Sequence, residues 1–576
     1  MALKPIVLKG EQKKVLFLQV TEPIQIKGVA GSGKTTVALY RAKHLLDTQS
    51  NLFQEAKVAI FTYNKTLVKY INAITPHISG GYQQDSEEIK PTKPKGINVF
   101  VTSFHKWAYH FIEANGNDLY GRTVMGEAQK SLVAKSKAKF SYNNSNLASK
   151  SAEFFVEEIS WMKGKAFQSK EEYLEAKRAG RGTNDRVTKA DKEIIWSIFT
   201  DYNAQLKATN QVDFDDYALL CLKIINSNPN FSKPFTHIIV DEAQDLSKAQ
   251  ILVISQLVSD ETKSISIIAD AAQRIYKSGF TWSEVGLNVR GGRTIEFKKN
   301  YRNTVQIVKV ALSLLEKEDD KSDFTTVETV RKGEEKPIVG YFQNWNEQCA
   351  YILKELNKLK ANDNINSTVI LHRSRSGLNN IQSFLENNNF ETQILLNTAD
   401  IDFDSDSIKI CTLSSVKGLE FENVFIIDLN DDIIPYPPGF IDTDDEYHIS
   451  TERRLLYTSM TRARERLYML SSGTRTRYLD EINLNYVNLI YSISSFKKML
   501  GKDVLPFYEI LNSDKEKTGW LRYFDKEKRI QILINRSLAT KVNKEPNKIF
   551  FNVSFSVKIS NTTGKQYLEY RLTDLK

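Results

Sequence analysis

The octapeptide Gly28–Thr35, GVAGSGKT, spaces its glycines, a lysine and a hydroxyl as a loop around the phosphates of a nucleoside triphosphate requires. The backbone of Gly28, Val29, Ala30, Gly31, Ser32 and Gly33 is expected to turn N–H groups toward the phosphates. Lys34 would neutralise the β- and γ-phosphates, and Thr35 would set its hydroxyl on Mg²⁺. The ligand class to look for is ATP or GTP. Far downstream, DEAQD at Asp241–Asp245 offers a carboxylate, Asp241, to hold Mg²⁺ through its water shell. Its neighbour Glu242 could act as general base on the water that attacks the γ-phosphate. A glycine-rich turn that binds nothing, or an acidic pair at a solvated strand end, is the plainer reading of either stretch alone. The two together point to triphosphate hydrolysis.

These residues need a scaffold that brings strand ends into one cleft. Ile24 and Ile26 alternate as in a strand, and Ala38, Ala42, Leu45 and Leu46 recur at helical spacing, so the glycine loop joins a strand to a helix. Short apolar runs elsewhere end in polar residues. Val58–Phe61 leads into TYNK at Thr62–Lys65, Ile97–Val101 into TSFH at Thr102–His105, His237–Val240 into DEAQD, and Ser264–Ala269 into Asp270. The pattern predicts a doubly wound α/β core with its chemistry at the carboxyl ends of parallel strands. Further runs at Ser367–Leu371, Ile408–Thr412, Val424–Ile427 and Leu467–Leu470 predict a second parallel α/β core.

The chain has 576 residues, enough for several cores, and its formal net charge of +9 leans toward a polyanionic partner without requiring one. Cys221, Cys349 and Cys411 are far apart, which argues against a disulfide framework or a zinc site and fits a reducing, cytoplasmic setting. No apolar run approaches ~18 residues, so no membrane span is expected.

In motif order the chain resembles the superfamily 1 helicases of the UvrD, Rep and PcrA type, from Gln12 to about Arg464. The resemblance implies two RecA-like P-loop domains, ATP with Mg²⁺ as cofactor, and movement along single-stranded DNA, 3′ to 5′, or along a 3′-tailed duplex. It implies an adenine-reading Gln12, a γ-phosphate sensor Gln273 in AQRIY, and an adenine-stacking Tyr301 with an arginine finger Arg302 in NYRN. In TLSSVKGLEFENV it implies nucleotide contacts from Gly418 and Glu420, and in ERRLLYTSMTRAR a second arginine finger, Arg462. For the DNA track it implies Thr62, Tyr63, Asn64, Ser103, His105, Tyr276, Thr412 and Ser414, with DFDD at Asp213–Asp216 as a further motif. Phe280 and Trp282 are candidate base-stacking aromatics beside Trp107, although large aromatics more often lie in cores. Independently of any family, a guanidinium fork reaching the transferred phosphoryl from a second domain is worth ~10³ to 10⁵ in rate.

Three departures from the family pattern stand out: Thr36 where an adenine-stacking arginine is common, Ala269 before the third-motif aspartate, and Ser414 in place of a histidine. The predicted domains are a first RecA-like core over 1–106 and 205–292, a helical insertion (1B) over 107–204, a second core over 293–475, and a small β-containing extension over 476–576. Only a short segment separates Gln393–Leu396 from Ile408, so the long 2B insertion of UvrD, Rep and PcrA is expected to be missing. In the tail, alternating residues over Phe551–Lys558, and a second such run beyond Gly564, predict a β-hairpin. A compact chain of this kind could act beside a nuclease in DNA repair or antiphage defence. Two other readings remain open: a nucleic-acid-sensing ATPase switch that signals without unwinding, and a P-loop enzyme unrelated to nucleic acid.

Overall fold

The computed structural model describes residues 8–50, 56–62, 67–68, 71, 99–176, 187–270, 280–318, 327–333, 335–365, 367–395, 405, 407–436, 446–500, 520–525, 530–544, 550–559 and 565–574. Its first lobe is a six-stranded, all-parallel sheet. The spatial order is Val99–Ser103, Val58–Thr62, His237–Val240, Ser264–Ala269, Ile24–Gly28 and Thr294–Phe297. The inner strands Val58–Thr62, His237–Val240 and Ser264–Ala269 are buried along their whole length, and they read as short runs with little alternation. Three strands whose tips carry chemistry, Ile24–Gly28, Ser264–Ala269 and His237–Val240, lie side by side. Their carboxyl ends therefore open into one crevice.

Thr294–Phe297 pairs with Ile24–Gly28 and belongs to the first sheet, although the sequence had placed it just inside the second domain. The helical insertion is also displaced from the expected 107–204: it begins later, and its last helix, Lys189–Ala208, runs past residue 204. The helix Phe104–Ala114 packs in the first lobe's core with Tyr217 and Cys221. A separate core, including Val124, Val133, Phe155, Ile195 and Leu206, defines the insertion proper. Its two ends are joined by a parallel ladder of Thr123–Val124 with Val212–Asp213.

The second lobe is built on an eleven-stranded sheet. In order, Thr392–Ile394, Ile408–Thr412, Thr368–His372, Phe421–Ile426, Ala463–Ser471, Ile338–Tyr341 and Asn488–Ser492 run parallel. The sheet then continues through Phe550–Ile559, Gln566–Asp574, Ile530–Asn535 and Trp520–Asp525. The predicted hairpin is present as the antiparallel pair Phe550–Ile559 and Gln566–Asp574. The tail is not a free-standing domain, however. Phe550–Ile559 pairs directly with Asn488–Ser492, and Leu521, Ile532, Phe551 and Leu572 share one hydrophobic core with Val369, Val424 and Leu467.

Among the described residues no helix is long and apolar enough to cross a membrane, and all three cysteines are buried and free.

Candidate nucleotide site at the lobe seam

The helix Lys34–Gln49 starts at the glycine loop in an unusual way. Its N-cap, Gly33, sits in the left-handed region (φ 80°), supplies no side-chain cap, and is followed by no acidic residue in the first turn. The helices at Ser151, Thr188 and Ser247, by contrast, are all closed by their own hydroxyls. The exposed helix dipole and uncapped N–H groups at Lys34 form an anion-binding end. A side chain could not be added here: a Cβ on Gly31 would meet Asn300 Oδ1 at 2.4 Å, and one on Gly33 would meet Gln12 Nε2 at 2.3 Å. Ser32 Oγ, buried inside the loop, has no partner among the described residues. The loop thus combines a donor-rich concavity with an unspent hydroxyl, which suits a phosphate group.

Lys34 is buried and donates to Gly28 O at 3.1 Å, Val29 O at 3.2 Å and Asp270 Oδ2 at 3.1 Å. Thr35 Oγ1 donates to Asp241 Oδ2 at 2.9 Å, pairing the two hard-oxygen groups expected around Mg²⁺. Gln12 donates to Ser32 O at 2.6 Å and accepts from Lys9 N at 2.7 Å, so the N-terminal 3₁₀ turn Gly10–Phe17 is tied to the loop. Tyr301 donates its backbone N–H to Gly31 O at 3.0 Å, and its hydroxyl reaches within 2.5 Å of where a Cβ on Gly10 would lie. Gln12 and Tyr301 therefore flank the loop on the side expected to hold the base.

Glu242 follows the strand His237–Val240 with φ 55°, a turn that folds DEAQD back over the strand tip. Gln244 donates to the Glu242 carboxylate and accepts from Asp270 N at 3.1 Å, locking the acidic turn to the next strand end. Burial and the adjacent Glu242 charge push the Asp241 carboxyl up. Burial would raise Glu242 as well, yet the charges of Lys417, Lys34 and Arg462 overcome it and hold the carboxyl below its ordinary range.

Two of those cations come from the second lobe. Lys417 is buried, pairs with Asp245, and lies 3.6 Å from Glu242 Oε2. Arg462 is also buried, donating from Nε to Thr458 O at 2.8 Å, and feels the charges of Glu242, Glu420 and Asp270. Burial, with the Arg302 charge nearby, brings its guanidinium down to about 10, which leaves it cationic at neutral pH. Arg302 is paired with Glu420. Burial alone would raise the Glu420 carboxyl, but Arg302 beside it holds it down. Asn300 Oδ1 accepts from Arg302 N at 2.9 Å, and Asn303 Nδ2 reaches Thr461 O at 2.9 Å, so the NYRN turn is fastened to the segment that carries Arg462. Gly418 (φ 85°) lets the second lobe approach closely: a Cβ there would meet Leu67 of the first lobe at 2.5 Å. Thr36 lies on the same helix, one residue past Thr35.

The expected DNA-track residues divide. Tyr63, Asn64 and Tyr276 lie outside the described residues, as does Gln273, the expected γ-phosphate sensor. Thr62 and Ser103 are buried where their strands end, and Thr412 is buried with its hydroxyl accepting from Ser415 N at 3.2 Å; none of the three presents an open side chain. Ser414 is exposed, 3.1 Å from Thr412 Oγ1. His105 lies on a helix, half-buried, with its ring 5.5 Å from that of Phe214. Phe280 and Trp282 meet edge to face at 5.5 Å, and Trp107 stacks on Phe111 at 4.9 Å; all four rest half-buried against the first lobe's core.

Sequence reasoning did not single out Lys417, Asn303 or Phe214, and it marked Asp270 only as a strand-end residue, not as the partner of Lys34. Lys417 and Asn303 lie inside motifs already quoted, but their partners are far away in sequence and give no local sign. Phe214, 41% exposed inside DFDD, was detectable as an aromatic between acids.

A phosphate-binding loop on one α/β lobe, met across a seam by cations from a second, defines the two-lobed P-loop NTPase fold. Residues 8–283 match the UvrD/REP helicase N-terminal domain family, and residues 295–399 and 394–474 match the UvrD-like helicase C-terminal domain family. The chain belongs to the UvrD/Rep family of superfamily 1. The two C-terminal matches overlap at 394–399, leaving no long insertion between them. The chain is similar to the ATP-dependent DNA helicase PcrA of Leuconostoc citreum, at 22% identity over 390 residues that cover 65% of this chain and 48% of that protein. It is similar too to PcrA of Staphylococcus epidermidis strain RP62A, at 23% identity over 389 residues that cover 64% and 48%. The matched region spans about half the length of these curated relatives.

Proposed function

We propose that this protein is an ATP-dependent DNA helicase or translocase on single-stranded DNA, moving 3′ to 5′ by alternately closing and opening its two lobes around ATP. The observation that carries the reading is the meeting at one seam of Lys34 and Glu242 from the first lobe with Lys417 and Arg462 from the second. In this reading Lys34 and the backbone of Gly28–Gly33 bind the phosphates, Thr35 and Asp241 hold Mg²⁺, and Gln12, Thr36, Tyr301, Gly418 and Glu420 surround the nucleoside. Mg²⁺, when bound, neutralises charge on the β- and γ-phosphates. Glu242, kept ionised by its cationic neighbours, takes a proton from the attacking water. Arg302 and Arg462 stabilise charge on the transferred phosphoryl, so catalysis requires the seam to be closed. His105, Ser414, Phe280 and Trp282, with Phe214 added, present polar and aromatic groups to the strand. Thr62, Ser103 and Thr412 act by fixing the strand tips that carry them. A role in DNA repair or antiphage defence, with a nuclease partner, is the biological setting we infer.

The decisive experiment combines ATPase assays, with and without single-stranded DNA, and displacement of an annealed oligonucleotide from 3′-tailed, 5′-tailed and RNA substrates. Stimulation and displacement on the 3′ tail are expected. Stimulation without displacement supports the switch instead, and absence of stimulation overturns a nucleic-acid role. Lys34→Ala should abolish hydrolysis and weaken ATP binding. Glu242→Gln should keep ATP bound while kcat falls by about 10² to 10⁴; normal turnover would remove Glu242 as the base.

A further inference from the structure

The nucleotide and DNA-track residues leave the outer end of the second sheet without a role. Along the strand Trp520–Asp525, Trp520, Arg522 and Phe524 share one face. The pairing register carries that face through Gln531 and Leu533, then Glu569 and Arg571, to Ser554 and Ser556. Tyr567 and Lys558 extend it at the same height on the hairpin. The opposite face, with Leu521, Ile532, Ile534 and Leu572, is sealed into the lobe's hydrophobic core. On the first face Trp520, Arg522, Phe524 and Arg571 are exposed, while Gln531 and Leu533 on the strand between them are buried.

Its composition is not that of an ordinary solvated sheet. Trp520 and Phe524 are 47% and 44% exposed on the sheet's outermost strand, where polar or charged residues usually blunt the edge. The Arg571 guanidinium lies 5.3 Å from the centre of the Trp520 ring, and Phe524 meets Tyr567 edge to face at 5.7 Å. Arg522, Arg571 and Lys558 are exposed between and beside these rings. The carboxylate on the same face, Glu569, already accepts from Gln531 Nε2 at 3.0 Å. Residues two apart on a strand lie about 7 Å apart on one face. Planar faces and cations thus alternate at a spacing suited to successive bases and phosphates. Aromatic stacking takes any base, and interleaved cations follow the backbone.

We propose that this face is a second binding site for single-stranded nucleic acid, stacking bases on Trp520, Phe524 and Tyr567 and holding phosphates with Arg522, Arg571 and Lys558. The choice of ligand rests on the function proposed above; the site itself is tested separately. A protein partner adding a strand to the edge would engage the backbone of Trp520–Asp525 and would have no need of the cations.

The test uses the full chain and an oligothymidylate of about 30 nucleotides, longer than one single-strand site needs. Each stacking aromatic contributes roughly five- to 150-fold by alanine substitution. Trp520→Ala with Phe524→Ala should therefore weaken binding by at least about tenfold while DNA-free ATPase stays at its normal rate. Should that pair fold poorly, Arg522→Gln with Arg571→Gln removes two phosphate contacts and should flatten the slope of log affinity against log salt by about 1.4. Photo-crosslinking of 5-iodouracil in the oligonucleotide should map to segments 520–525 and 565–574. Unchanged affinity and salt slope without crosslinks there would overturn the site even if DNA stimulates the ATPase. Crosslinks and weakened binding in a chain whose ATPase ignores DNA would keep the site and discard the motor. A protein partner lost on the same substitutions, with oligonucleotide binding intact, would also overturn it.

Discussion

Two buried lysines, Lys163 and Lys417, are each held by a pair of carboxylates, and the contrast lies in what those carboxylates belong to. Lys163, on the helix Ala152–Gly164 of the insertion, lies 2.7 Å from both Asp213 and Asp216, where the chain re-enters the first lobe, and Tyr202 adds a bond to Asp213 at 2.9 Å. Lys417 belongs to the second lobe, and its partners Glu242 and Asp245 belong to the first. Burial alone would lower both ammonium groups, and in both cases the carboxylates reverse it. Lys163 joins elements that have no reason to part. Lys417 joins two bodies that the proposed cycle must separate, so its carboxylates can regain water whenever the seam opens. One cluster is an anchor, and the other is a latch whose strength is added to closure.

The largest expected effect belongs to the anchor. Lys163→Ala leaves two carboxylates buried without their cation, and denaturant unfolding should show a loss of about 3–5 kcal/mol, with the ATPase of the folded fraction unchanged. A loss below ~1 kcal/mol would mean that water already reaches the cluster. Lys417→Ala should show the reverse pattern. Stability should change by less than about 1 kcal/mol because the opened seam rehydrates Glu242 and Asp245, while kcat should fall by about 10². If Lys417→Ala instead unfolds the protein and spares turnover, the seam is a permanent interface and the contrast disappears. Asp245→Asn is the mildest change, replacing an ion pair by an ion–dipole hydrogen bond to the same ammonium, and should lower kcat by about tenfold. An increase in kcat would show that the latch restrains the cycle rather than driving it.

The anchor and the latch also mark how far the sequence could be read. The strand tips Val240 and Ala269 were legible because strands buried on both faces leave short apolar runs that stop where the chemistry starts, and Gly28 because an alternating strand runs into a glycine-rich loop. Lys34, Thr35, Asp241 and Glu242 follow such runs directly. Lys417 was not legible as a partner of Asp245, since 172 residues separate them and only the meeting of the lobes makes them neighbours. The same holds for Asn303 and the backbone of Thr461. Thr294–Phe297 was assigned to the wrong lobe because chain order, not periodicity, set that boundary, and its partner Ile24–Gly28 lies near the other end of the lobe's sequence. The aromatics were ambiguous for a different reason. A ring that packs in a core and a ring that awaits a base have the same composition, and only their surroundings distinguish Trp107 against Phe111 from the half-exposed Trp520.

The unbroken hydrogen bonding of the second sheet carries a mechanical consequence. With neighbouring strands about 4.8 Å apart, eleven of them form a beam roughly 50 Å wide, its far edge at Trp520–Asp525 and no loose joint along the way. In the proposed cycle a swing of a few degrees at the nucleotide crevice would be geared up toward that rim, and the tail would act as an oar fixed to its rower's arm, sweeping farthest where its aromatic blade is bare.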